Sequence, residues 1–230
     1  MSNTNETLST DRTLAAEVKL YYDLFAPESV PAPLLIALHG YGSSKRWMMR
    51  EARTHAPEGF AVAALQGPHQ HIKEPNEKGG PLRYGFGWLT NFRSEDSVAL
   101  HHRALLDLVG ALVGDGVARR ESVFLMGFSQ SCALNYRFAF THRDSLRGVI
   151  GICGGLPGDW ETGEIYGETA ASVLHLSGER DEFYPPSRVG DYGKRLRMRA
   201  ADVETRAYDA AHEFVPAMRG DVRAWLEARV

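Results

Sequence analysis

Short apolar stretches of strand length recur along the chain, and helical text follows most of them. Leu34–Leu38, Phe60–Leu65 and Val123–Met126 are wholly apolar, and Val149–Cys153 and Val173–Ser177 are nearly so. A strand that is apolar on both faces has no side to offer to water, so it belongs inside a sheet covered above and below. Between these strands, Lys45–His55, Glu95–Leu112, a segment from Gln130 and Ser187–Ala200 read as helices, and a last helix runs to Val230. In Glu95–Leu112 the apolar residues Val98, Leu105, Leu108, Val109 and Leu112 recur at helical spacing, and Gly114 marks the end. Val18–Phe25 alternates in polarity as an early strand, and Val203–Tyr208 reads as a late one. Alternating strands and helices predict an α/β fold with a mainly parallel central sheet and helices on both faces.

A length of 230 residues suits a single domain, here expected over residues 13–230 behind a flexible, Ser/Thr/Asn-rich tail at 1–12. Lys and Arg total 26 against 29 Asp and Glu, with no block of like charge, so nothing favours a nucleic-acid partner. No apolar run approaches the ~20 residues of a membrane span, and the first twenty residues lack the apolar core of a signal peptide. Cys132 and Cys153 sit in apolar helix and strand text, as buried thiols of a reducing compartment would. A soluble cytoplasmic protein is expected, with monomer and homodimer equally open.

The stretch Val123–Met126, Gly127-Phe128-Ser129-Gln130-Ser131 is a strand, a sharp turn and a helix start. In that context a serine at the apex of the turn presents its hydroxyl above the sheet. Ligands of open α/β sheets lie beyond the carboxyl ends of the strands, so the residues just past each strand carry the chemistry. Asp181 follows the strand ending at Ser177, and His212 follows the one ending at Tyr208. A serine hydroxyl needs an imidazole to take its proton, and the imidazole needs a carboxylate to fix its tautomer. Ser129, Asp181 and His212 are therefore the candidate catalytic residues. His39-Gly40-Tyr41-Gly42 follows the strand Leu34–Leu38 and suits a loop that holds an oxyanion. The backbone N–H groups of Tyr41 and Gln130 are assigned as its two donors. His39, wrongly placed in chain order for the base, reads as a structural residue holding that loop.

Gln66 to Arg93 is a long Gly/Pro-rich loop, and loops of that length tend to be functional. Its aromatics Tyr84, Phe86, Trp88 and Phe92, with Trp160 and Phe183 from elsewhere, are the expected lining of a substrate pocket. Lys73, Glu74, Glu77 and Lys78 make part of it solvated. His69, His71, His101 and His102 lack the spacing and carboxylate company of a metal site, so neither a metal nor a cofactor is expected.

These motifs give the chain a named likeness. Leu38-His39-Gly40-Tyr41-Gly42, Gly127-Phe128-Ser129-Gln130, Gly178-x-x-Asp181-x-x-Tyr184-Pro185 and the late His212, with Gly79-Gly80 before Gly87-Trp88, resemble the carboxylesterase/phospholipase branch of the α/β-hydrolases. That branch includes acyl-protein thioesterases. The chain departs from it at Ser131-Cys132, where Gly-Gly is usual, and at Thr90-Asn91, where the family tends to place Tyr/Phe-Asp. The resemblance implies a serine esterase acting on small to medium acyl or aryl esters through an acyl-enzyme. Thioesters or lysophospholipids are the nearest alternative substrates, and a non-catalytic ligand-binding protein of the same fold is the remaining one.

Overall fold

In the computed structural model, residues 9–75 and 77–230 are described, so most of the tail expected at 1–12 lies outside them. In chain order the elements are β1 (Tyr22–Phe25), β2 (Ala32–Leu38), α1 (Lys45–His55), β3 (Ala61–Leu65), β4 (His69–Lys73), β5 (Arg83–Gly87) and α2 (Ser94–Gly114). Then come β6 (Ala118–Phe128), α3 (Gln130–Thr141), β7 (Gly148–Ile152), β8 (Ser172–Gly178), α4 (Pro186–Val189), α5 (Tyr192–Arg197), β9 (Val203–Tyr208) and α6 (Pro216–Glu227).

Seven strands form one sheet in the order β1-β3-β2-β6-β7-β8-β9. Every pairing is parallel except that of the edge strand β1 with β3. Parallel neighbours need crossovers, and the helices that supply them cover both faces. Along β2 the side chains divide by parity. Leu34, Ile36 and Leu38 pack in the cluster that includes Leu105 and Leu108 of α2 and Phe138 of α3. Leu35 and Ala37 pack with Met48 of α1 and Trp225 of α6. Each such buried leucine or isoleucine contributes ~1.5–3 kcal/mol by leaving water, which is why wholly apolar text was required at β2. No helix among the described residues is long and apolar enough to cross a membrane.

Two expectations are corrected. The stretch from Gln66 to Arg93 is not a bare loop, because β4 and β5 pair within it as an antiparallel hairpin from His69↔Gly87 to Lys73↔Arg83. The expected helix Ser187–Ala200 is two short helices, α4 and α5, with Gly190 between them, where the entropy of a glycine backbone disfavours continuation.

The parallel strands deliver their carboxyl ends to one rim. There β2 runs into His39, β6 into Ser129, β8 into the turn bearing Asp181, and β9 into the segment bearing His212.

Candidate active site

Ser129 occupies the one-residue turn between β6 and α3 with φ 56° and ψ −116°, outside the regions a side chain ordinarily adopts. Such a backbone persists only where its surroundings over-determine it, and here they do. The Ser129 N–H donates to Ile152 O at 3.0 Å, and Cys132 N–H donates to Ser129 O at 3.1 Å. Close passage of neighbouring backbone completes the clamp. A Cβ on Gly154 would stand 2.3 Å from Cys132 Sγ and 2.6 Å from Ser129 O, and one on Gly40 would stand 3.1 Å from Ser129 Cβ.

Ser131, where the family favours glycine, is absorbed by hydrogen bonding. Its hydroxyl donates to Leu38 O at 2.8 Å and accepts from Phe128 N–H at 3.0 Å. The extra hydroxyl thus ties the elbow to the end of β2 instead of obstructing it.

The three candidate catalytic side chains meet. Ser129 Oγ lies 2.9 Å from His212 Nε2, and His212 Nδ1 lies 2.9 Å from Asp181 Oδ2. The other oxygen of Asp181 accepts the N–H groups of Phe183 and Tyr184, each at 2.9 Å. The carboxylate side chain is wholly buried, so those amides replace the water it has lost. A carboxylate on Nδ1 fixes the proton there and leaves the Nε2 lone pair facing the serine. Phe128 and Phe183 each stand 4.9 Å from the imidazole, ring centre to ring centre, and hold its orientation.

The loop after β2 passes beside this serine. Its first residue, His39, is buried and makes only structural bonds: Nδ1–H donates to Gly40 O at 2.8 Å, while Nε2 accepts from Gly67 N–H at 3.0 Å and from the Gln66 amide at 2.9 Å. Burial pushes its pKa down to about 4, so the ring stays neutral and can accept. The loop is also registered on the hairpin, since Gly42 N–H donates to Phe86 O and Phe86 N–H to Ser43 O, and the Tyr41 ring stacks on His71 at 4.5 Å. Gln130, first residue of α3, accepts Trp88 N–H on its side-chain oxygen at 2.9 Å. Its own backbone N–H is among the first of the helix, which have no intrahelical acceptor and lie at the positive end of the dipole.

A cleft of about 390 Å³ opens over Ser129 and His212, lined by Tyr41, Ser44, Trp47, Lys73, Arg83, Tyr84 and Phe128. Of the six aromatics expected to line the pocket, only Tyr84 borders it. Trp88 and Trp160 are each only 1% exposed. Trp88 packs on His39, at the start of the loop after β2, and on His101, and Trp160 packs on Phe140 and Tyr166. Both are core residues and present no face to a ligand. Phe86 is half-buried and serves through its backbone, and Phe92 is 78% exposed. Phe183 stands at the site, but against His212. Trp47, which does border the cleft, was not expected there because it reads as one more apolar residue of α1.

Among the described residues, one set of potential metal-ligating atoms gathers within 4.8 Å: those of Cys153, Asp181 and His212. The pKa of Cys153 is pushed up to about 12 by burial and the neighbouring Asp181 charge, so its thiol keeps its proton.

Comparisons with known proteins supply the family and the fold. The family model described as Phospholipase/Carboxylesterase matches residues 22–230. The chain belongs to the phospholipase/carboxylesterase family. NocK of Nocardia uniformis subsp. tsuyamanensis, which carries the name of an esterase, is 28% identical over 173 residues, or 71% of this chain and 46% of that protein. The chain thus spans about half the length of that relative. Among solved structures, a Mesorhizobium loti carboxylesterase superposes with a TM-score of 0.72 at 19% identity, covering 94% of this chain and 98% of that one. The Bacillus cereus carboxylesterase gives 0.71 at 14%, covering 92% and 95%. Zea mays acyl-protein thioesterase 2 gives 0.64 at 16%, covering 91% and 98%. At such identities these likenesses speak for the shared α/β-hydrolase fold.

Proposed function

We propose that this family member is a serine hydrolase that cleaves small to medium acyl or aryl carboxylic esters. The single observation that carries the reading is the unbroken chain Ser129 Oγ–His212 Nε2 and His212 Nδ1–Asp181 Oδ2, both links 2.9 Å, with the serine on a strained turn at the rim of the sheet. In the proposed reaction Ser129 Oγ attacks the ester carbonyl carbon as His212 Nε2 takes its proton. The carbonyl oxygen becomes an oxyanion, held by the N–H groups of Tyr41 and Gln130. The tetrahedral adduct then collapses, and His212 returns the proton to the departing alkoxide. Water repeats the sequence on the acyl-enzyme to release the acid. A cleft of about 390 Å³ lies at the small end of ligand sites, which favours short acyl or single-ring groups over long chains. The two cysteines are free and buried, which favours placement in the reducing cytoplasm. The test is turnover of 4-nitrophenyl esters of graded chain length, with Ser129→Ala as control. Turnover that falls with chain length and vanishes in the variant is expected, and equal turnover in the variant would refute the reading.

A further inference from the structure

Two cations stand opposite each other on the hairpin. Lys73 of β4 and Arg83 of β5 are direct register partners. Register partners on an antiparallel pair hold their side chains close together on one face, so the two cations can address one anion jointly. Both residues line the cleft that contains Ser129 and His212, and among the described residues no carboxylate lines it; Glu74 and Glu77 do not border it.

The placement of Lys73 is built, not incidental to an exposed tip. It shares its strand face with His69, which reaches Ser97 Oγ at 3.0 Å, and with His71, which stacks on Tyr41. That face therefore looks onto the oxyanion loop. The Lys73 ammonium donates to Gly42 O at 3.0 Å, one residue past Tyr41. Two glycines make room for its stem. A Cβ on Gly85 would stand 2.8 Å from Lys73 Cδ, and one on Gly42, at φ +76°, would stand 3.4 Å from Nζ.

We infer that the preferred substrate is an ester bearing a carboxylate or similar small anion, drawn to Lys73 and Arg83 while its carbonyl lies at Ser129. The inference rests on the esterase reading above. It makes the hairpin the specificity element: ammonium and guanidinium bind the anion by charge-assisted hydrogen bonds, and Ser129 acts on the carbonyl.

The test compares matched substrates. Mono-4-nitrophenyl adipate against 4-nitrophenyl hexanoate places the charge on the acyl side. 4-Acetoxybenzoate against methyl 4-acetoxybenzoate places it on the leaving side. The ratio of kcat/KM within each enzyme cancels general damage to a variant. In at least one pair the anionic ester is expected to lead by roughly tenfold, mainly through KM, and added salt is expected to shrink that lead. Lys73→Gln with Arg83→Gln should bring the ratio toward unity, and Lys73→Glu should invert it. A lead for the neutral ester in both pairs, or an anionic lead unchanged in these variants, overturns the inference while Ser129-dependent turnover of the neutral esters leaves the esterase reading standing. Turnover of no ester by wild-type enzyme removes both.

Discussion

The indole N–H of Trp88 donates to the carbonyl oxygen of His39 at 2.8 Å, which ties the residue just past β5 to the first residue of the loop after β2. The Trp88 backbone N–H is held at the same time by Gln130, on the opposite side of the proposed oxyanion. One residue thus braces both loops that carry the assigned donors.

Replacing Trp88 by Ala therefore acts through the frame. Removing a buried tryptophan costs ~3–5 kcal/mol, and the His39 carbonyl loses its partner. A large fall in melting temperature is expected, with activity lost evenly across ester chain lengths. Trp47→Ala and Tyr84→Ala, which alter the cleft wall, should instead change the chain-length profile. A Trp88→Ala enzyme of normal stability with selective loss on bulky esters would reverse these assignments.

Asp181→Asn should be far more damaging than its size suggests. One oxygen of Asp181 accepts two backbone N–H groups, so an asparagine keeps its carbonyl oxygen there and turns its NH2 toward His212 Nδ1. That nitrogen must then accept, the ring proton moves to Nε2, and the serine loses its base. Loss of kcat of roughly 10⁴-fold is expected, as for the same change in serine-protease triads, with the fold intact by circular dichroism. Retention of more than a tenth of the activity would show that the carboxylate does not set the tautomer.

The fold should weaken in mild acid through buried and half-buried histidines other than His212. Burial lowers His39, His55, His102 and His175 to about 4 and His101 to about 3. The unfolded chain takes up protons near 6.5, so each ring contributes stability that is complete above ~6.5 and is lost as pH falls toward ~4. At about pH 5 the loss reaches up to ~2 kcal/mol for each fully buried ring. Urea midpoints should therefore drop steeply between about pH 7 and pH 5, and a flat profile over that interval would contradict the neutral, buried state of these rings.

Much of this was readable in the sequence, for identifiable reasons. Wholly apolar strands such as Leu34–Leu38 can only be interior, and Ser129, Asp181 and His212 each lie just past a predicted strand, so topology alone brings them to one rim. The cleft wall was not readable in the same way. An aromatic in a Gly/Pro-rich stretch packs inward or outward according to its strand partner, and the pairing of His69–Lys73 with Arg83–Gly87 is a tertiary fact. It turned Trp88 into the core and put Lys73, Arg83 and Tyr84 over the serine. The helix expected over Ser187–Ala200 failed for a local reason, the glycine at 190.

Covalent labelling addresses the central claim, that Ser129 is the nucleophile activated by His212, more directly than any turnover assay. The protein is treated with a fluorophosphonate, and the modified residue is located by peptide mass spectrometry. A single adduct on Ser129 is expected, absent in Ser129→Ala and strongly slowed in His212→Ala. Labelling of another residue, or undiminished labelling of Ser129→Ala, would contradict the account.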